Sequence, residues 1–215
     1  SKAMFITSGS ISDVYFIGDQ VMKFVSPLRV FMAYMDVQKL IPEATYYVKQ
    51  RFQQSPRMGQ ASIGMMNRFT SAVMSELDLG EEAKNTLTGS LVYQKGHNDA
   101  SAISVHVPRE LSYSTFALLT TKARGVSIAQ YLKDLATQQT SMSDSYSYSK
   151  HESVVSMACD LLNAYVNVSL IANTGFYHGD LHAGNIFIDP ESKTMELIDF
   201  GAAYTTSTDM QCQIL

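Results

Sequence analysis

His178-Gly179-Asp180-Leu181-His182-Ala183-Gly184-Asn185-Ile186-Phe187-Ile188, followed after a short polar stretch by Leu197-Ile198-Asp199-Phe200-Gly201, sets two carboxylates and a carboxamide in a fixed order. Ile186-Phe187-Ile188 and Met195-Glu196-Leu197-Ile198 read as short apolar strands on either side of Pro190-Glu191-Ser192-Lys193-Thr194, a polar hairpin connection. Such a hairpin returns Asp199 to the neighbourhood of Asn185, where one cation could touch both.

These residue types match what transfer of a terminal phosphate asks of a protein. It needs a group to orient the attacking hydroxyl, and oxygen ligands to hold magnesium on the phosphates. Asp180 suits the first task. Asn185, four residues further on in the intervening count, gives the D-x-x-x-x-N interval of kinase catalytic loops, where it puts a neutral oxygen on the metal. Asp199 supplies the hard anionic oxygen that magnesium prefers. A lone D-F-G tripeptide is common by chance, but both motifs in this order, each with strand-like sequence after or before it, are specific. The bland alternative makes Asp180 and Asp199 turn residues and His178 and His182 ordinary loop polar groups, and it leaves that order unexplained.

Composition is compatible with this chemistry. The chain has 215 residues and an apolar fraction of 46%, enough for one large domain or two small lobes. Its formal charge of -4 gives no basic footprint, so nucleic acid is not expected as a partner. Cys159 and Cys212 alone imply no disulfide framework, which fits a reducing, cytoplasmic compartment. No apolar run reaches the length of a bilayer span, and the N-terminus has no signal pattern. The first residue is Ser1 in place of Met, as when upstream residues have been removed.

The front of the chain reads as strand, small-residue turn, strand, tight turn, strand. Met4-Phe5-Ile6 begins it, Asp13 to Ile17 continues, and Val21-Met22-Lys23-Phe24-Val25 follows the Gly18-Asp19 turn. Small side chains at Ser8, Gly9 and Ser10 would let backbone N–H groups approach phosphate oxygens, although an ordinary hairpin explains that turn as well. Lys23 among apolar neighbours is harder to explain away, because a lysine so placed is rarely buried without a partner. Residues 29–54 and 57–87 are helix-like, with Pro42 and Pro56 expected to interrupt them. Charges in 75–85 could form a solvated helix face, but Glu76 is singled out as the carboxylate partner that Lys23 needs. Later, Val126 to Leu132 opens an amphipathic helix with Ser127 as N-cap, 137–149 reads as a polar loop, and Val154 to Ala172 as a mostly buried helix supporting the loop at His178.

Several of these segments together resemble the UbiB/AarF (ABC1-like) atypical kinases, a family linked to ubiquinone biosynthesis. Ser10-Ile11-Ser12-Asp13-Val14-Tyr15 is similar to the family's S-I-G-Q-V-Y/H loop, and Val21-Met22-Lys23 to its V-A-V-K strand. Glu76-Leu77-Asp78 with Glu82-Ala83-x-Asn85 resembles its E-L-D-x-x-x-E-A-x-N signature. About fifty residues separate Lys23 from Glu76, as in that family's extra helical sequence. Val107-Pro108, Phe116 to Thr120 and Gly125 resemble the last N-lobe strand, hinge and following glycine. The chain departs from the family in reading H-G-D-L-H-A-G-N where H-A-D-P-H-P-G-N is typical, a form closer to aminoglycoside and choline-type phosphotransferases. The family's K-x-G-Q element is not visible, Gly9 stands where alanine is favoured, and fourteen residues follow Gly201.

The resemblance implies an α+β, two-lobe protein-kinase-like fold, with a small mixed N-lobe carrying extra helices over 1–121 and a mainly helical, shortened C-lobe over 122–215. It implies an ATP- and Mg2+-dependent kinase or ATPase, with Asp180 as base or orienting group, Asn185 and Asp199 on the metal, Lys23 on the phosphates and Glu76 holding Lys23. Ser8, Gly9 and Ser10 would cover the nucleotide. The expected acceptor is lipid-like or a small molecule, with peripheral membrane association on family grounds alone. Two other readings stand beside this one: a small-molecule phosphotransferase of the aminoglycoside or choline type, favoured by H-G-D-L-H, and a pseudokinase scaffold, favoured by the short C-terminus. The intact set of Lys23, Asp180, Asn185 and Asp199 speaks against the scaffold.

Overall fold

In the computed structural model, which describes residues 4–8, 12–95, 104–138, 144–167 and 174–206, short antiparallel strands form at the front of the chain. β1 (Met4–Ser8), β2 (Asp13–Ile17) and β3 (Gln20–Phe24) are neighbours both in sequence and in space. Two residues join β2 to β3, and Gly18 takes the left-handed φ of 64° that so short a turn needs.

Two long helices follow, α1 (Pro27–Arg51) and α2 (Pro56–Ser75), which pack against each other. Pro27 and Pro56 each stand in a first turn, where a missing N–H costs nothing. The interruption expected at Pro42 does not occur. Pro42 and Gln38 are exposed, so the carbonyl that loses its amide partner can turn to water. No residue of α1 is buried, and Leu28, Phe31, Met32 and Met35 are each more than half exposed.

The stretch 57–87, expected as one helix, is two. α2 ends at Ser75, and α3 (Leu79–Lys95) begins after a tight turn in which Leu77 N–H bonds to Met74 O and Asp78 N–H to Ser75 O. Asp78 causes the restart: its Oδ1 accepts the Gly80 N–H at 2.9 Å, capping the new helix. Leu77 and Leu79 are buried on either side of the cap.

β4 (Ser104–His106), β5 (Glu110–Ser114) and β6 (Ala117–Thr121) come next, and the first sheet has the order β1-β2-β3-β6-β5. After Gly125 the chain forms β7 (Val126–Ser127) and α4 (Ile128–Gln138). Ser127 Oγ accepts the Gln130 N–H at 3.2 Å, the N-cap that its position suggests. The polar loop expected over 137–149 is shorter, since α5 (Asp144–Val166) already begins at Asp144; residues 139–143 and 168–173 lie outside the described residues. Then come β8 (Phe176–His178), β9 (Ile186–Asp189), β10 (Thr194–Leu197), a 3-10 turn at Phe200–Ala202 and β11 (Ala203–Thr205).

β9 and β10 form the hairpin read from the sequence, pairing Leu197 with Ile186 and Thr194 with Asp189. Asp189 ties the connection together by accepting from the Ser192 hydroxyl and the Glu191 N–H, and the Ser192 bond holds its carboxyl below the usual carboxylate range. β4 joins β10 in parallel and β7 joins β9, giving a sheet ordered β4-β10-β9-β7, while β8 pairs with β11.

Backbone contacts divide the chain into two compact units, 1–81 with 112–119, and 82–111 with 120–215. These units differ from the sequence-based boundary at 121/122 over 82–111 and 120–121. The reason lies in the core of the second unit, where Tyr93 of α3 and Val105 of β4 join Met157, Leu161, Phe176, Ile188, Met195, Leu197 and Phe200. Cys159 is exposed with a free thiol, and Cys212 lies outside the described residues. No helix among the described residues is long and apolar enough to cross a membrane.

Gly125 has a φ of 75°, and a Cβ there would meet Ile188 O at 2.0 Å, whereas Gly18 is left-handed with open space around it. Gly18→Ala should therefore cost only about 1 kcal/mol, the left-handed penalty alone, and Gly125→Ala about 2–4 kcal/mol because β9 must also shift. Denaturant titration of both variants checks the difference.

Candidate active site

The site in the second unit is organised around His178, whose side chain is almost completely buried at the end of β8. Its Nδ1 accepts the Asp180 N–H at 3.2 Å, and its Nε2 lies 2.9 Å from Ile198 O. An Nδ1 that accepts carries no proton, so Nε2 donates to Ile198 O. One imidazole thus joins the loop that carries Asp180 to the residue preceding Asp199. Tyr165 of α5 donates its hydroxyl to His178 O at 3.0 Å, and burial, reinforced by Tyr177, pushes its phenol up so that it keeps the proton it donates.

A second tie runs directly between the two motifs. Ile198 N–H donates to Asn185 O at 3.0 Å, so the hairpin places Asn185 beside the residue adjoining Asp199. Asn185 is buried, and its Nδ2 donates to Asp180 O at 3.0 Å. With the nitrogen committed, Oδ1 is the atom left for a cation. Asp180 itself is exposed, with Oδ2 3.8 Å from His182 Nε2. His182 Nδ1 accepts the Gly184 N–H at 2.9 Å, which turns the ring's other nitrogen toward that carboxylate.

Asp199 has a φ of 64° and ψ of 69°, a left-handed conformation that costs a non-glycine residue about 1 kcal/mol or more. Strain of this kind persists where surrounding contacts enforce it. Phe200, fully buried, is stacked on Phe176 with ring centroids 6.2 Å apart and contacts the His178 ring at 4.8 Å. From α3, Asn85 Nδ2 donates to Phe200 O at 3.1 Å. Glu82, also on α3 and buried, has an oxygen 3.5 Å from the point a Cβ on Gly201 would occupy, the same distance as Asp199 Oδ1 from that point.

Of the residues singled out in the sequence, the structure brings Asp180, Asn185 and Asp199 into this one assembly. Lys23 lies in β3, half-buried and opposite Val14. Glu76 is an exposed residue at the C-terminal end of α2, and it forms no ion pair with Lys23 among the described residues. Gly9 and Ser10 lie outside the described residues, and of Ser8 only the backbone, at the end of β1, is described. Glu82, Asn85 and His178 are the residues whose place sequence reasoning missed. The signal for the first two was the second half of the E-L-D-x-x-x-E-A-x-N run, and for His178 the first letter of H-G-D.

No cluster of three or more His, Cys, Asp or Glu able to hold a metal occurs among the described residues. One carboxamide oxygen and one carboxylate are too few for an all-protein cage. They suit magnesium, which keeps waters and takes its other ligands from phosphates.

The fold is that of a protein-kinase-like chain. The chain belongs to the ABC1 atypical kinase-like domain family, whose profile matches residues 29–215. Among curated proteins it is similar to uncharacterized protein L702 of Acanthamoeba polyphaga mimivirus, with 28% identity over 148 residues, covering 62% of this chain and 18% of the relative. Among solved structures it is similar to Rv3197 in its erythromycin complex from Mycobacterium tuberculosis, with a TM-score of 0.53 and 18% identity over 94% of this chain and 46% of that one. The PknI kinase domain from Mycobacterium tuberculosis matches with a TM-score of 0.38 and 14% identity, over 93% of this chain and 58% of that domain. The chain thus spans under a fifth of its curated relative and under half of Rv3197.

Replacing His178 with Phe keeps an aromatic ring but strips partners from Asp180 N–H and Ile198 O, two groups paired through a buried side chain. The expected loss is about 2–4 kcal/mol, against about 1 kcal/mol for Tyr165→Phe, read from chemical denaturation midpoints.

Proposed function

We propose that this chain binds Mg-ATP and either transfers the terminal phosphate or hydrolyses it. The observation that supports the reading best is the double tie of His178, which couples the Asp180 loop to the Asp199 turn through one buried ring. In this reading the Asp180 carboxylate orients the attacking hydroxyl and takes its proton. The hydroxyl oxygen bonds to the γ-phosphorus, the bond to the bridging oxygen breaks, and ADP leaves. Asn185 Oδ1 and Asp199 are the candidate ligands of magnesium, which when bound supplies charge neutralisation on the phosphates.

Lys23 is assigned to the phosphates, as its position in a V-x-K strand suggests. Glu76 stays proposed as the carboxylate that holds Lys23, on the sequence grounds of the E-L-D-x-x-x-E-A-x-N run. Ser8, Gly9 and Ser10 keep their proposed place over the nucleotide on sequence grounds. The acceptor proposed from the family is a lipid-like molecule of the kind met in quinone metabolism, with peripheral membrane association following from that choice. The H-G-D-L-H form favours a second acceptor class, a soluble small-molecule hydroxyl.

Thermal unfolding of the chain with ATP, with and without magnesium, tests the reading. A ligand at about a hundred times its Kd adds about 2.7 kcal/mol, which for a chain of this size raises Tm by several degrees. That rise should require magnesium and vanish in Asp199→Asn, while Asp180→Ala should keep it and lose turnover by about a hundredfold or more. A folded chain that shows no shift would instead be a binding module of kinase-like fold.

A further inference from the structure

Asp199 is held from both sides. On its N-terminal side Ile198 is bonded to the Asp180 and Asn185 loop, through Nε2 of His178 to its carbonyl and through its own N–H to Asn185 O. On its C-terminal side Phe200 is held by α3, a helix that contributes none of the residues of either catalytic motif.

We propose that Asn85 and Gly89 of α3 are positioning residues for the metal-binding carboxylate of Asp199, Asn85 by fixing the Phe200 carbonyl and Gly89 by providing the seat for the Phe200 ring. The inference rests on the reading of Asp199 as a magnesium ligand. Asn85 Nδ2 donates to Phe200 O at 3.1 Å, adding to the Ala203 N–H that the same carbonyl accepts within the turn. At Gly89 a Cβ would lie 2.6, 2.9 and 3.2 Å from three atoms of the Phe200 ring, so even alanine would force that ring to move. The ring has little room to go, being fully buried against Phe176 and His178.

Glu82, Asn85 and Gly89 stand at i, i+3 and i+7, which places them on one stripe of α3, and each of the three approaches the Phe200-Gly201 segment. A left-handed residue directs its Cβ differently from a right-handed or extended one. If Phe200 is released, Asp199 can relax out of its left-handed conformation, and the direction of its carboxylate changes with the backbone. The fraction of molecules with a competent metal site falls, and the apparent affinity for metal falls in proportion.

The test uses the full chain and Mn2+ as the probe, with free Mn2+ read by electron paramagnetic resonance at saturating ATP. ATP affinity without divalent cation and the Tm of the free chain are measured on the same samples. The variants are Asn85→Leu, Asn85→Asp, Gly89→Ala and the relieving pair Gly89→Ala with Phe200→Leu, with Asp199→Asn as reference. Asn85→Asp keeps the volume and carries the test if Asn85→Leu does not fold. Expected are a loss of about tenfold in Mn2+ affinity for the single Asn85 and Gly89 variants, metal-free ATP affinity within about twofold, and recovery of Mn2+ binding in the relieving pair. Loss of Mn2+ affinity in Asp199→Asn with wild-type affinity in the Asn85 and Gly89 variants would overturn this proposal alone. Unchanged Mn2+ affinity in Asp199→Asn would overturn it together with the metal reading on which it rests.

Discussion

A buried imidazole with both nitrogens engaged is the contact on which the rest of the site depends. His178 accepts a hydrogen bond from one loop and donates one to another, and neither bond survives a change of tautomer. Because the ring is almost completely buried, its two backbone partners have no water to turn to if it leaves. The Tyr165 hydroxyl on its carbonyl and the Phe200 ring against its face complete the enclosure. Asp180 and Asp199, the carboxylates proposed to orient a nucleophile and to hold a cation, are thereby referred to a single rigid point.

The second unit supplies this point from a core built of short strands and helix faces. β9 and β10 set the register that brings Asn185 beside Ile198, and Met195, Leu197 and Ile188 bury the inner side of that hairpin. Arg124 Nε reaches Glu196 Oε1 of β10 at 2.6 Å, so the chain entering β7 is fixed to the same sheet. α3 closes the assembly from another side, with its Tyr93 in the core, where burial pushes the phenol up. The turn between Glu76 and Leu79 belongs to the same logic. Asp78 ends one helix and caps the next, and this separates an exposed Glu76 from a buried Glu82 only six residues later.

Much of this was legible in the sequence because it depends on local patterns. The hairpin, the order of the two motifs, the Gly18 turn and the Ser127 cap all follow from residues within a few positions of one another. What was not legible depends on contacts across long separations. Asn85 and Phe200 are 115 residues apart, and nothing in the spacing of α3 announces that its amide meets a carbonyl of the D-F-G turn. Pro42 misled because proline costs a helix only one bond when its carbonyl partner is exposed, and the unbroken reading of 57–87 missed that Asp78 is a better cap than interior residue.

The absence of any buried side chain in α1 has a consequence for how the protein opens. Amides protected only by helix bonds, on a helix with exposed Leu28, Phe31, Met32 and Met35 and a proline in its middle, exchange with solvent through local fraying. Amides of β9 and β10, whose neighbours include fully buried Ile188, Met195 and Leu197, exchange only when a larger cooperative block comes apart. The chain therefore carries a gradient of hydrogen-exchange protection, low along its long first helix and high at β9 and β10, so that its front can breathe on a faster timescale than the hairpin that carries Asn185.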